Sequence, residues 1–161
     1  MYCKGLTKQE LIDMCIYNVN WDVENKEWWI DRYWYKNSRA KEKTHIKLKV
    51  SLAIREHKYG PTRTYPKIQF SYQNKTRAIT LSRLIYVWFK GDIPDGYVVD
   101  HINNNPLDTS ISNLQIMTVE DNLAKRFEDN PDNSVNQWAY MDDYDRSIDL
   151  YWRRAKKRFG K

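Results

Sequence analysis

Residues Tyr97 to Asn122 constrain this chain more than any other stretch. Tyr97-Val98-Val99 is an apolar run that reads as a short strand and carries Asp100 and His101 to its end, where a side chain can face a ligand rather than the core. Asn103-Asn104-Asn105-Pro106 then form a turn, because short amide side chains bond nearby backbone and Pro fixes its own φ. Leu114-Gln115-Ile116-Met117 alternates apolar and polar residues as a second short strand does. Thr118-Val119-Glu120-Asp121 reads as a helix N-cap with acids in the first turn, so Asn122 falls early on a helix. An Asp-His pair alone is usually a surface feature, and three Asn alone are a turn. Strand, turn, strand and capped helix together bring Asp100, His101 and Asn122 to one point.

The spacing is Asp-His, eleven residues, Asn113, eight residues, Asn122. With Val99-Asp100-His101-Ile102-Asn103, Pro106 and Asn113-Leu114, it resembles the ββα-metal (His-Me finger) motif of HNH endonucleases. The likeness is strongest to the subgroup of phage and intron-encoded, homing-endonuclease-like enzymes whose last motif position is Asn. It extends upstream through Leu81 to Phe89 and Pro94-Asp95-Gly96, covering about residues 65–127, under half of the chain. Two positions depart from the pattern. Asn104 stands where Gly is usual, and Asn tolerates left-handed φ better than most residues. Ser82 stands where many relatives have His, which puts any role for that position in doubt.

The resemblance implies metal-assisted hydrolysis of a phosphodiester, and each residue type suits its place. His101 is the expected general base, since an imidazole with an ordinary pKa of about 6.5 can be neutral at working pH. Asp100 and the side-chain oxygen of Asn122 are expected to hold one divalent cation. Two oxygen ligands suit Mg2+ or Mn2+ better than Zn2+. Asn113 carries over as the family's structural Asn, grouped with the catalytic set because its amide is expected to hold the His-bearing strand in register. The resemblance also implies 5′-phosphate and 3′-hydroxyl ends, with nicking of one strand favoured.

Charge fits a protein that meets a polyanion. The net charge is only +6, but residues 150–161 carry six basic and no acidic side chains, while residues 128–149 carry one basic and seven acidic. Residues 1–60 and 61–99 are each basic. Basic character flanks the motif without lying in it, as expected if lysines and arginines position phosphates. The expected DNA contacts are Arg77, Arg83, Lys125, Arg126, Arg153 and Arg154. Cys3 and Cys15 form neither a disulfide framework nor a zinc motif, so no structural zinc is expected and the expected setting is reduced and intracellular, the host cytoplasm if the chain is phage-encoded. No signal-like or membrane-spanning apolar run is present in the sequence.

Along the chain, Thr7-Lys8-Gln9-Glu10 reads as a capping box opening a helix through about Tyr17. Trp21, Trp28, Trp29, Tyr33, Trp34 and Tyr35 make an aromatic-rich N-terminal lobe, read first as packing and second as base stacking. Residues 36–58 are basic and contain a half-buried element that the pattern leaves open between strand and helix. His45 and His57 read as surface residues. Gly60-Pro61 marks a boundary. A hairpin turning at Gln73-Asn74-Lys75 follows, then a helix from Arg83 to Phe89 capped by Ser82. After Asp129 comes a polar linker, and a helix from about Ser147 to Arg158 whose charge order suits its dipole.

The fold expected is α+β: a nuclease core with an upstream β-hairpin and helix, the aromatic lobe and a C-terminal helix. The division expected is a helical or mixed lobe at 1–60, a nuclease domain at 61–129, and a linker with basic helix at 130–161. The function expected is a metal-dependent endonuclease acting on duplex DNA as a monomer, in the manner of a homing endonuclease. The competing class is a DNA-binding or phage DNA-packaging accessory protein that retains the fold with weak catalysis. An RNA-directed module is a third, because basic and aromatic residues serve both polymers.

Overall fold

The computed structural model describes residues 4–35, 39, 41–57 and 60–129. The linker and basic helix expected after Asp129, with Arg153 and Arg154, lie outside them. The described chain is α+β, built from three small antiparallel sheets and three α-helices.

The first helix, α1 (Lys8–Asp13), has the capping box that its sequence announces. Thr7 Oγ1 accepts from the Glu10 N–H at 3.1 Å, and the Glu10 carboxylate accepts from the Thr7 N–H at 3.0 Å. It ends four residues before Tyr17, where the sequence pattern had carried it. Cys15 takes a positive φ of 66°, which no helix interior permits, and Ile16 already pairs with Arg32 across the first sheet. Strands β1 (Ile16–Asp22), β2 (Glu27–Tyr35) and β3 (Lys43–Lys47) form that sheet in the order β1-β2-β3.

Strands β4 (Val50–His57), β5 (Gly60–Tyr72) and β6 (Lys75–Thr80) form the second. Within the undecided segment 36–58 the described residues form strand at Lys43–Lys47 and Val50–His57, as their β-branched and alternating residues allow. Gly60-Pro61, read as a boundary, opens β5 and pairs back onto β4 through His57 and Gly60. The β5–β6 hairpin turns at Gln73 and Asn74, with φ of 50° and 57°, the left-handed pair that a tight two-residue hairpin requires.

Helix α2 (Leu81–Phe89) follows directly from β6. Its N-cap is Thr80, in extended conformation and without a side-chain cap bond, so Ser82 is not the cap; it is buried in the first turn. Leu84, Ile85 and Val87 of α2 are buried with Ile16, Val19 and Ile30 of the first sheet and Ile68 and Phe70 of the second. Leu6, Leu11, Ile93 and Leu114 belong to the same cluster, as do Trp28, Leu48 and Leu81. Burial of this apolar surface is the main term holding the layers together. The N-terminal lobe is tied to the later chain by a short bridge, with Leu6 and Ile93 exchanging both backbone bonds at 2.9 and 2.8 Å.

The aromatic residues divide between two tasks. Trp28 is buried and packs near Phe89, whereas Trp21, Tyr33 and Tyr35 stay exposed. The third sheet is the antiparallel pair β7 (Tyr97–His101) and β8 (Leu114–Thr118), joined through a 3₁₀ turn at Ile111–Asn113 and followed by α3 (Val119–Asp129). Thr118 caps α3, its Oγ1 accepting from the Asp121 N–H at 3.1 Å and donating to the Asp121 carboxylate at 2.8 Å. Among the described residues no helix is long and apolar enough to cross a membrane.

Candidate active site

The site is built at the end of β7. Strand register sets Asp100 opposite Gln115 and His101 opposite Leu114. Asp100 is buried, and its Oδ2 accepts from Gln115 Nε2 at 2.9 Å and from Lys125 Nζ at 2.7 Å. A carboxylate removed from water needs such partners, because an unpaired buried charge is costly. Lys125 also reaches the carbonyl oxygens of His101 at 3.0 Å and Ile102 at 3.4 Å. Its ammonium therefore sits among three oxygens at the point where strand becomes loop.

His101 is half-buried, and its Nε2 is enclosed without a hydrogen-bond partner. Burial holds its pKa below the ordinary histidine value. Asp100 and Asp108 pull the other way, and the charge of Lys125 adds to the lowering. An imidazole held below its ordinary value is mostly neutral near pH 7.

The loop between β7 and β8 is held by asparagines bonding across it. Asn113, buried, accepts at Oδ1 from the Asn103 N–H at 3.0 Å. Its Nδ2 donates to Asn103 Oδ1 and to the Asp108 carbonyl, both at 2.9 Å. The Ile102 N–H donates to the Asn113 carbonyl at 2.9 Å. All four side-chain and main-chain links fall within two residues of His101 or on Asp108, so the amide fixes the backbone that follows the histidine. Asn104 adopts a φ of 59°, the left-handed state that a Gly would otherwise supply. Asp108 is held below the usual carboxylate range by the Ser110 hydroxyl and N–H, with Asn103 adding a further bond.

Asn122 is half-buried in the first turns of α3, three residues before Lys125 and hence on the same helix face. Lys125 reaches Asp100, so this face of α3 is the one turned toward the end of β7. Asn122 therefore shares a helix face with Lys125, the residue of α3 that meets Asp100 and the His101 carbonyl at this corner.

Arg77 is exposed on β6. Arg83 donates from Nη2 to the Lys4 carbonyl at 2.7 Å, and Lys125 is turned inward. Arg126 lies on α3, and Arg153 and Arg154 lie outside the described residues. Sequence reasoning overlooked Gln115 as a partner of Asp100. The signal was there, since pairing Val99 with Ile116 places Gln115 opposite Asp100.

No group of three or more His, Cys, Asp or Glu side chains that could hold a metal ion occurs among the described residues. The donors seen at the corner are a buried carboxylate and carbonyl oxygens that already surround a cation, the Lys125 ammonium. Oxygen donors of this kind suit a hard ion that keeps most of its ligands as water.

Residues 80–124 match the family model described as HNH endonuclease. Over 102 residues, 63% of this chain, the sequence is 28% identical to the "SPbeta prophage-derived putative HNH homing endonuclease YosQ" of Bacillus subtilis (strain 168). The chain spans 53% of that relative, about half its length. No solved structure matches.

Proposed function

We propose, from the match of residues 80–124 to the HNH endonuclease family model, that this chain is a metal-dependent endonuclease that hydrolyses phosphodiester bonds in duplex DNA. The observation that carries the reading is the corner itself. A half-buried imidazole follows directly on a buried carboxylate at a strand end, and the helix face that bears Asn122 also sends Lys125 to that carboxylate. In this reading β7, β8 and α3 are the ββα-metal core.

His101 is the general base. It takes the proton of the attacking water, a step typically contributing about 10²–10⁴-fold. Asp100 and Asn122 hold one Mg2+ or Mn2+, which when bound stabilises charge on the phosphoryl and departing oxygens. Asn113 positions His101 through the loop and touches no reacting group. Gln115 orients the Asp100 carboxylate. Exposed Arg77 and the basic residues Arg126, Arg153 and Arg154 supply phosphate contacts, which set affinity and its salt dependence rather than sequence choice.

With one base and one metal site per chain, a monomer nicks one strand, and the relative's name makes homing endonuclease the biological role proposed. The test is supercoiled plasmid incubated with Mg2+, Mn2+ or EDTA. The proposal expects open circles with either metal and none in EDTA, and expects DNA ligase to reseal the nicks, as 5′-phosphate and 3′-hydroxyl ends allow. Binding of duplex DNA without cleavage in either metal would replace it with the accessory-protein reading.

A further inference from the structure

Lys125 has no place in the chemistry just described, yet it makes the closest contacts in the site. It stands on α3 one turn after Asn122, where a lysine ordinarily extends into water. Instead its side chain is largely enclosed, and Nζ lies 2.7 Å from Asp100 Oδ2, 3.0 Å from the His101 carbonyl and 3.4 Å from the Ile102 carbonyl. Among the described residues it is the only cation paired with Asp100. Three oxygens converging on one ammonium, one of them a buried carboxylate, make a cation site of the chain's own.

We propose that Lys125 is an internal stand-in for the divalent cation, filling the oxygen site at the end of β7 in the metal-free protein and leaving it when a metal enters. The inference rests on the nuclease reading, because it takes Asp100 as a metal ligand. Its physical basis is that the ammonium and a divalent ion compete for one carboxylate. Asp100 Oδ2 already accepts two hydrogen bonds, from Lys125 and Gln115, and two unscreened positive charges within a few ångströms repel.

The exchange has two consequences. The buried carboxylate has a cation beside it in both states, so its charge is not left unpaired without metal. The displaced ammonium, still tethered to α3 beside the site, becomes free to meet a phosphate. Metal and DNA then favour each other, since each has use for what the other releases, and linkage makes that effect equal in both directions. His101 meanwhile has a positive charge nearby whether the lysine or the metal holds Asp100.

The test is direct binding of Mn2+ to the full chain without DNA, read by the electron paramagnetic resonance signal of free Mn2+. Lys125→Met keeps the length of the side chain and removes its charge, and is expected to bind Mn2+ at least about tenfold more tightly than wild type. Asp100→Asn is expected to abolish that binding in both backgrounds. Equal or weaker binding by Lys125→Met overturns the proposal, as does binding that survives Asp100→Asn.

Because Lys125→Met leaves the buried Asp100 without a cation, a second measurement uses wild type alone. Acetylation of individual lysines, read by mass spectrometry, is expected to speed up several-fold at Lys125 on adding Mg2+ and to stay unchanged at exposed Lys49. An unchanged rate at Lys125 overturns the proposal. The two readings separate cleanly. Metal-dependent cleavage with no effect of Lys125 on binding leaves the nuclease and removes the stand-in. Tighter Mn2+ binding at Asp100 in a chain that never cuts DNA does the reverse.

Discussion

The indole Nε1 of Trp28 donates to Thr109 Oγ1 at 2.9 Å, joining β2 to the loop before the 3₁₀ turn across 81 positions of sequence. Both residues are buried. The aromatic lobe is thereby fastened to the loop that carries Asn103, Asp108 and Asn113, and is part of what holds the active corner in shape. Thr109→Val keeps the volume and leaves a buried N–H without an acceptor, which costs about 1–3 kcal/mol. Thermal unfolding should show a fall of several degrees in Tm, at about 2–4 °C per kcal/mol for a chain of this size. An unchanged Tm would mean that the bond is replaced by water.

Asn113→Ala removes two donors and one acceptor that bond across the loop at 2.9–3.0 Å. Expected effects are a loss of about 2–4 kcal/mol in urea unfolding and faster amide exchange at Ile102 and Asn103. Asn113→Asp is no rescue, because it turns an oxygen toward the Asp108 carbonyl and Asn103 Oδ1. If Asn113→Asp matches wild type in stability, the loop is not held by these bonds.

Gly5 is required by contact rather than by backbone conformation. A Cβ there would stand 2.2 Å from the Ile93 carbonyl oxygen and 2.9 Å from the Pro94 carbonyl carbon, both backbone atoms. The Gly5 N–H also donates to Asp95 Oδ1 at 2.7 Å. Gly5→Ala should break the Leu6–Ile93 bridge and destabilise by at least about 1–3 kcal/mol, the usual cost of forcing atoms into a filled space. Circular dichroism melts of Gly5→Ala against Lys4→Ala would show whether the effect belongs to the glycine.

Burial holds His101 below its ordinary value of about 6.5, so two pH effects follow. On the proposed function the neutral imidazole is the working form, and kcat/KM should rise with pH through an apparent pKa below 6.5 on this group's account. For stability, the unfolded chain binds the proton near 6.5 while the folded chain resists it to a lower pH. The contribution is therefore present above 6.5 and is lost as pH falls through the folded value. Urea midpoints at pH 7.5 and 5.5 should fall further for wild type than for His101→Gln; an equal fall would assign the acid sensitivity to other groups.

The segment from Tyr97 to Asp129 was legible because its signals are local. Alternation at Leu114 to Met117, the asparagine turn and the Thr118 cap each act within a few residues, and β7, β8 and α3 lie where those signals put them. The N-terminal lobe was less legible. Its strands are defined by distant pairings such as Tyr33 with His45 and Val50 with Ile68, and mixed aromatic and charged residues carry no clean period of two. A positive φ at Cys15, which stopped α1, has no sequence signature comparable to glycine. The inward turn of Lys125 was hidden for another reason. A lysine on a helix reads as solvated until the helix face is known, and only Asn122, three residues earlier, pointed to that face.

The most direct test of the central claim compares wild type with His101→Ala, confirmed as folded, on supercoiled plasmid in Mg2+. The account predicts that wild type converts plasmid to open circles and that His101→Ala does so at least about 100-fold more slowly, with DNA affinity kept. Equal rates in the two proteins would contradict it and move the chemistry away from the end of β7.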